Sequence, residues 1–175
     1  MKKSIIILVF FIASCSNSNQ WYSLNSTDKS FEIEFPKKPI HRVDTSNSIY
    51  GKLPINIYLY QETKKNTPNL AFILAKTVYP DSIANRFPDN LDPILDSMVQ
   101  SSINSDMKLI SRKEIKLDSI KGREIKLDYL NGETIMTMKF YLHRNTCYVL
   151  NIITDPKKDF NINQKRFFES FKIIE

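Results

Sequence analysis

Residues 120–144 read IKGREIKLDYLNGETIMTMKFYLHR. In the second half, Met136, Met138, Phe140 and Leu142 recur at every second position, the period that puts side chains on one face of a strand. Asn131-Gly132 between the halves suits a type I′ turn, in which both central residues take positive φ. So short a turn joins only antiparallel strands, because a parallel pair needs a crossover of a dozen residues or more. Segments 120–130 and 133–144 are therefore expected as a hairpin.

The pattern extends outward on both sides. Segment 108–117 is expected to precede the hairpin. Asn145-Thr146 is read as the turn into a further strand, 147–154, which Pro156 ends. Near the start, Phe31-Glu-Ile-Glu-Phe35 alternates strictly, and Pro36 and Pro39 close it. A polar strand over 41–50, a turn at Gly51 to Pro54, a strand over 55–60 and a buried apolar strand over 70–79 follow. The period then changes. Residues 81–87 suit a helical turn, and Asp92 stands where a cap is wanted, with Pro93 at the first helical position. Ile94, Leu95, Met98, Val99 and Ile103 share one face of a helix expected over 93–104. Asn161 and Gln164 have capping-box spacing for a last helix carrying Phe167, Phe168 and Phe171. Strands, helix, meander, helix is an α+β order.

The chain has 175 residues, 42% of them hydrophobic and 25% charged, with a formal net charge of +6. That balance belongs to one folded domain rather than to a disordered tail. With only two His, two Cys and three Gly, the sequence excludes a multi-cysteine zinc site, a disulfide framework and a glycine-rich phosphate loop.

The first fifteen residues carry a different message. Lys2 and Lys3 precede an unbroken apolar run from Ile5 to Ala13, too short to span a bilayer, which needs ~20 residues, but suited to a secretory leader. The run ends in Ile12-Ala13-Ser14-Cys15, which resembles the bacterial lipobox. The resemblance implies lipidation of Cys15, cleavage after Ser14 and anchoring to membrane lipid through that cysteine. Residues 1–14 are then a lipoprotein signal peptide, 15–20 the lipidated Cys and a short polar tether, and 21–175 a single domain. Loss of Lys2 and Lys3 lowers the net charge to +4 and leaves Cys147 as the sole unmodified thiol. Ser16, in place of an aspartate, favours the outer membrane over the inner. Export makes nucleic acid an unsuitable partner.

The domain resembles the PsbP-like superfamily, which includes the bacterial DcrB-like envelope proteins. The residues that carry this are Phe31-x-Ile33-x-Phe35-Pro36-x-x-Pro39, the amphipathic helix midway, the meander with Gly122 and Asn131-Gly132, and Phe168-x-Ser170-Phe171. The resemblance implies an antiparallel sheet flanked by helices on both faces, a PsbP-like α/β/α sandwich. It implies no shared active site, since members are accessory or binding proteins in unrelated systems.

Residues with chemical potential are sparse. His41 and His143 read as surface histidines. Cys147 reads as a small buried hydrophobe, with His143 opposite it in a tight hairpin as the one available base. Asp81, Asp89, Asp92 and Asp96 gather around the first helix, where the macrodipole accounts for them. Lys37, Lys38 and Arg42 form the densest basic patch, able to face anionic headgroups or to blunt a strand edge. No catalytic, cofactor or metal residue is assigned. The expectation is a non-enzymatic envelope lipoprotein that binds another envelope protein or supports an assembly. The alternatives are a carrier or sensor of a small or lipidic ligand in a cleft between sheet and helix, or a hydrolase using Asp92/Asp96 or Cys147/His143.

Overall fold

A computed structural model describes residues 20–48, 51–64, 66–81 and 91–174. The leader, Cys15, the tether as far as residue 19, and the helical turn expected beyond Asp81 lie outside them.

The meander is the backbone of the fold. Strands β6 (Met107–Leu117), β7 (Ile120–Tyr129), β8 (Thr134–His143) and β9 (Thr146–Thr154) pair antiparallel in sequence order. The β7–β8 connection is centred on Asn131-Gly132 as expected, with Glu133 N–H donating to the Leu130 carbonyl at 3.3 Å, but the ladder stops at Tyr129 and Thr134, and Leu130 as well as Asn131 and Gly132 takes positive φ. The Asp128 carboxylate accepts Gly132 N–H at 2.6 Å and so fixes the loop. The next turn lies one residue earlier than expected. His143 pairs Thr146, and Arg144, at φ 54°, takes the bend with Asn145.

Upstream, β3 (Ile40–Ser48), β4 (Gly51–Gln61) and β5 (Asn69–Val78) form a second antiparallel ladder. Residues Gly51 to Pro54 belong to β4 rather than to a turn, since each pairs with β3. Pro54 is tolerated because strand pairing does not need every amide. The ladders join where β5 pairs β9, giving one sheet in the order β3-β4-β5-β9-β8-β7-β6.

A second sheet is made of β1 (Tyr22–Asn25), β2 (Phe31–Phe35) and β10 (Lys172–Ile173) in the order β1-β2-β10. Strict alternation buries Phe31, Ile33 and Phe35. They meet Phe72, Leu74, Tyr148, Leu150 and Ile152 of the large sheet, with Phe167, Phe168 and Phe171 from the C-terminal segment. Helix α2 (Ile162–Glu169) supplies the first two of those rings. The other face of the large sheet holds Ile125, Leu127, Met136, Phe140, Leu142 and Cys147, packed with Leu95 and Val99 of α1 (Asp92–Ser101). Burying each such aliphatic side chain contributes roughly 1.5–3 kcal/mol.

The fold is thus mixed and mostly antiparallel, but dominated by sheet. One face of the large sheet is covered as much by three short strands as by a helix. Both apolar clusters are drawn from described residues between Trp21 and Ile173, so the chain from Gln20 carries this core.

Helix α1 is shorter than 93–104. Its N-cap is Leu91, with no side-chain cap, and Asp92 lies inside the first turn. The hydroxyls of Ser101 and Ser102 donate to the Met98 carbonyl at 2.9 and 2.8 Å, competing with continuation of the helix.

Candidate functional site

The cleft between α2 and the β7–β8 end of the sheet is built from an unusual approach to the helix. After β9, Asp155 caps a single 3₁₀ turn over Pro156–Lys158, accepting Lys157 N–H at 3.0 Å. The chain then passes through Phe160, whose φ is 61°. A bulky residue in the left-handed region is held there at a cost. Two acceptors hold it: Phe160 N–H donates to Asp159 Oδ1 at 3.0 Å and to Gln164 Oε1 at 2.9 Å. Asn161 then caps α2 as its spacing with Gln164 anticipates, accepting the N–H groups of Asn163 and Gln164 at 3.1 and 3.0 Å. A reciprocal amide pair with Asn69 of β5, at 2.8 and 2.9 Å, ties that cap to the sheet.

The cleft so formed has a volume of about 270 Å³. Its floor is polar. Thr137 Oγ1 accepts from Gln164 Nε2 at 3.2 Å. Lys126 is buried against Asp159, with its ammonium 3.5 Å from the centre of the Phe160 ring. Lys139 lies 3.5 Å from Glu124 and 4.6 Å from the centre of the Phe168 ring. These lysines already have carboxylate partners, and among the described residues no thiol or imidazole lines the cleft. The arrangement can hold a surface or a small molecule. At its rim Phe160 is 79% exposed and Ile162 75% exposed.

The residues singled out in the sequence lie elsewhere. Cys147 is buried against α1, with its Sγ 3.5 Å from Met98 Sδ. Burial pushes its thiol up to about 12. Cys147 pairs with Leu142, while His143 pairs with Thr146 and so points to the opposite face. The hairpin leaves them on opposite faces, and Cys147 is the small buried hydrophobe that the sequence suggests. His41 is exposed, stacked on Tyr58 at 4.5 Å, with its Nε2 3.1 Å from Asn56 Oδ1.

Asp92 and Asp96 do converge, but on Arg123, whose side chain is 4% exposed. Arg123 Nη2 donates to Asp92 at 2.7 Å and its Nε to Asp96 at 2.8 Å. Hydrogen bonds from Lys121 and Arg123 hold the Asp92 carboxyl below its usual range. Both carboxylates are engaged in fastening α1 to β7. Asp81 accepts from Asn145 Nδ2 at 2.8 Å, and Asp89 lies outside the described residues. Among the described residues no three His, Cys, Asp or Glu side chains converge as metal ligands would.

Strand alternation carried an overlooked sign of the cleft. Glu124, Lys126, Thr137 and Lys139 occupy the face on which Tyr141, Leu150 and Ile152 are core, and the register sets Glu124 opposite Lys139 and Lys126 opposite Thr137. Charged residues facing inward over two adjacent strands mark a stretch that the core does not reach.

No protein-family model matches the chain, and no curated protein matches it in sequence. Solved structures do. The solution structure of the cyanobacterial PsbP protein, CyanoP, from Synechocystis sp. PCC 6803 superposes with a TM-score of 0.55 at 12% identity, covering 93% of this chain and 99% of that one. The crystal structure of a protein of unknown function, PA94 from Pseudomonas aeruginosa, gives 0.44 at 11% identity, covering 79% and 85%. The likeness to CyanoP is one of fold alone: the domain has a PsbP-like fold.

Proposed function

We propose that the chain is a lipid-anchored envelope lipoprotein whose PsbP-like α/β/α domain is a non-enzymatic module for binding another envelope protein. The observation that carries the binding role is Phe160. Its backbone is held in the left-handed region, yet its ring is spent on solvent and on one lysine rather than on the core. Strain retained at an exposed aromatic residue is a mark of a binding site. Ile162, one residue beyond the helix cap, extends the apolar surface. The anchoring role rests on the order of charge, apolar run and Ile12-Ala13-Ser14-Cys15 in the sequence. The outer membrane is the favoured location.

A photo-crosslinking residue at position 160, incorporated in living cells, tests the binding role. A discrete protein adduct at 160, absent when the probe stands at the exposed Val43 on β3, the edge strand far from the cleft, is the expected result. Adducts to lipid alone, or none, would defeat it. The second reading, a carrier of a small ligand, is favoured by the cleft itself. Its volume lies just below the roughly 300–1,000 Å³ of small-molecule sites, and its cations are already matched. Native mass spectrometry of protein extracted from cells would reveal a retained ligand.

A further inference from the structure

The corner where the chain enters the domain combines aromatic and basic groups that the cleft does not use. Tyr22 pairs with Phe35, so Gln20 and Trp21 run beside Pro36 and Lys37. Gln20, Trp21, Tyr22, Ser23, Pro36, Lys37 and Lys38 surround an open depression of about 420 Å³. A second depression of about 190 Å³ shares Tyr22 and Lys38 with it and adds Pro39 and His41. Neither has a carboxylate in its lining. Lys37 and Lys38 are exposed and enter no ion pair among the described residues, while the neighbouring Glu34 is held by Arg166 at 2.7 Å. Trp21 is half-buried, fixed by the edge of Phe72 at 5.8 Å and by the Arg166 guanidinium 4.8 Å over its ring. Tyr22 is 37% exposed.

Trp and Tyr with lysines beside them are the groups that settle at the level of lipid headgroups, and lysines there are drawn to anionic lipid. We propose that this corner is a membrane-contact surface that lays Trp21, Tyr22, Lys37 and Lys38 against an anionic bilayer. Its orientation rests on the anchored reading. From Cys15 to Trp21 the chain makes six residue steps, at most ~22 Å when fully extended, so Trp21 stays that close to a lipidated Cys15. The surface gives the anchor a second, electrostatic hold and sets which way the Phe160 rim faces. One acyl chain with a basic patch binds a membrane far better than either alone.

Trp21 is the sole tryptophan of the chain, so its fluorescence reports on this corner alone. The chain from Gln20 onward, without leader or lipid, is mixed with vesicles of phosphatidylethanolamine containing roughly one-third phosphatidylglycerol. The expected result is a blue shift of Trp21 emission, quenching by brominated lipid, and reversal at about 0.5 M salt. Vesicles of phosphatidylcholine give no shift. Lys37→Glu with Lys38→Glu lowers binding by more than ~10-fold, whereas the same reversal at Lys108 and Lys116 on β6 leaves it nearly intact. Circular dichroism confirms that both variants are folded. Absence of the shift, or equal loss in the two double variants, overturns the proposal. Lipid labelling of the full chain, with Cys15→Ala as control, reports on the anchor separately, so failure of one reading is not mistaken for failure of the other.

Discussion

Two residues show how the interior uses groups that resemble reactive ones. Cys147 is buried with its pKa at about 12, so almost no thiolate forms near neutrality. Native protein is expected to resist a thiol reagent at pH 8 and to react promptly in urea; rapid labelling of the folded protein would mean that α1 does not cover the thiol. Cys147→Ala should cost about 1 kcal/mol, read by denaturant midpoint. The Lys76 ammonium, with its side chain 8% exposed, meets the Asp28 carboxylate and Ser30 Oγ, the latter at 2.7 Å. Desolvation alone would raise the Asp28 pKa. Hydrogen bonds from Lys76, Ser30 and Ser26 outweigh it and hold the group well below its ordinary 3.8. A depressed carboxyl contributes stability that is fully present above the unfolded pKa and is lost as pH falls from 3.8 toward the folded value. Because Asp28 is itself 59% exposed, solvent screens part of that contribution. Asp28→Asn should therefore cost only about 1–2 kcal/mol at pH 7, and the difference from wild type should shrink in melts taken below pH 3.8.

At the scale of the element, the meander depends on close approach. Gly122 of β7 lies opposite Tyr141 of β8, and a Cβ there would come within 2.5 Å of the Phe140 carbonyl oxygen and 2.7 Å of the Tyr141 ring. The backbone oxygen cannot move without disturbing the ladder. Gly122→Ala is expected to destabilise by roughly 1–3 kcal/mol, with faster amide exchange in β7 and β8 than in β3 and β4. An unchanged melting temperature would show that Tyr141 yields freely. Helix α2 is the contrasting case. Its two-sided capping by Asn161 and Gln164 is local, and so its start at Ile162 could be read from the sequence. Helix α1 has no such cap, and its carboxylates answer instead to Arg123, 27 residues beyond Asp96. A capping role for Asp92 was the reasonable local reading, and a distant guanidinium displaced it. Phe160 belongs to this scale too. Phe160→Gly removes the left-handed strain together with the Lys126–ring contact, so stability should move by less than about 0.5 kcal/mol while the protein adduct formed by a photo-crosslinking residue at position 162 is lost.

For the molecule as a whole, the chain from Gln20 should fold as a monomeric domain with a strand-dominated circular dichroism spectrum and one cooperative transition; a helical spectrum would contradict the two-sheet architecture. The large sheet was legible in advance because its information is local. Period-two runs such as Met136 to Leu142, and a turn fixed by Asn131-Gly132, are decided by neighbours in sequence. The burial of Phe31, Ile33 and Phe35, and of the C-terminal phenylalanines, followed from the same periodicities. The small sheet was not legible, because β1 and β10 are four and two residues long and exist only by pairing with opposite edges of β2. The cleft was hidden for a related reason: alternation says which residues share a face, but not where the covering helix stops. His143 and Cys147 face opposite sides of the sheet whether the two-residue turn lies at 144–145 or at 145–146, because moving such a turn by one position leaves the alternation unchanged. Sequence alone determined the strands of the large sheet and their antiparallel sense, since each is encoded within a few residues. Tertiary structure decided the joining of the ladders through β5 and β9, the engagement of Asp92 and Asp96 by Arg123, and the exposure of Phe160, since each depends on residues brought together from distant parts of the chain.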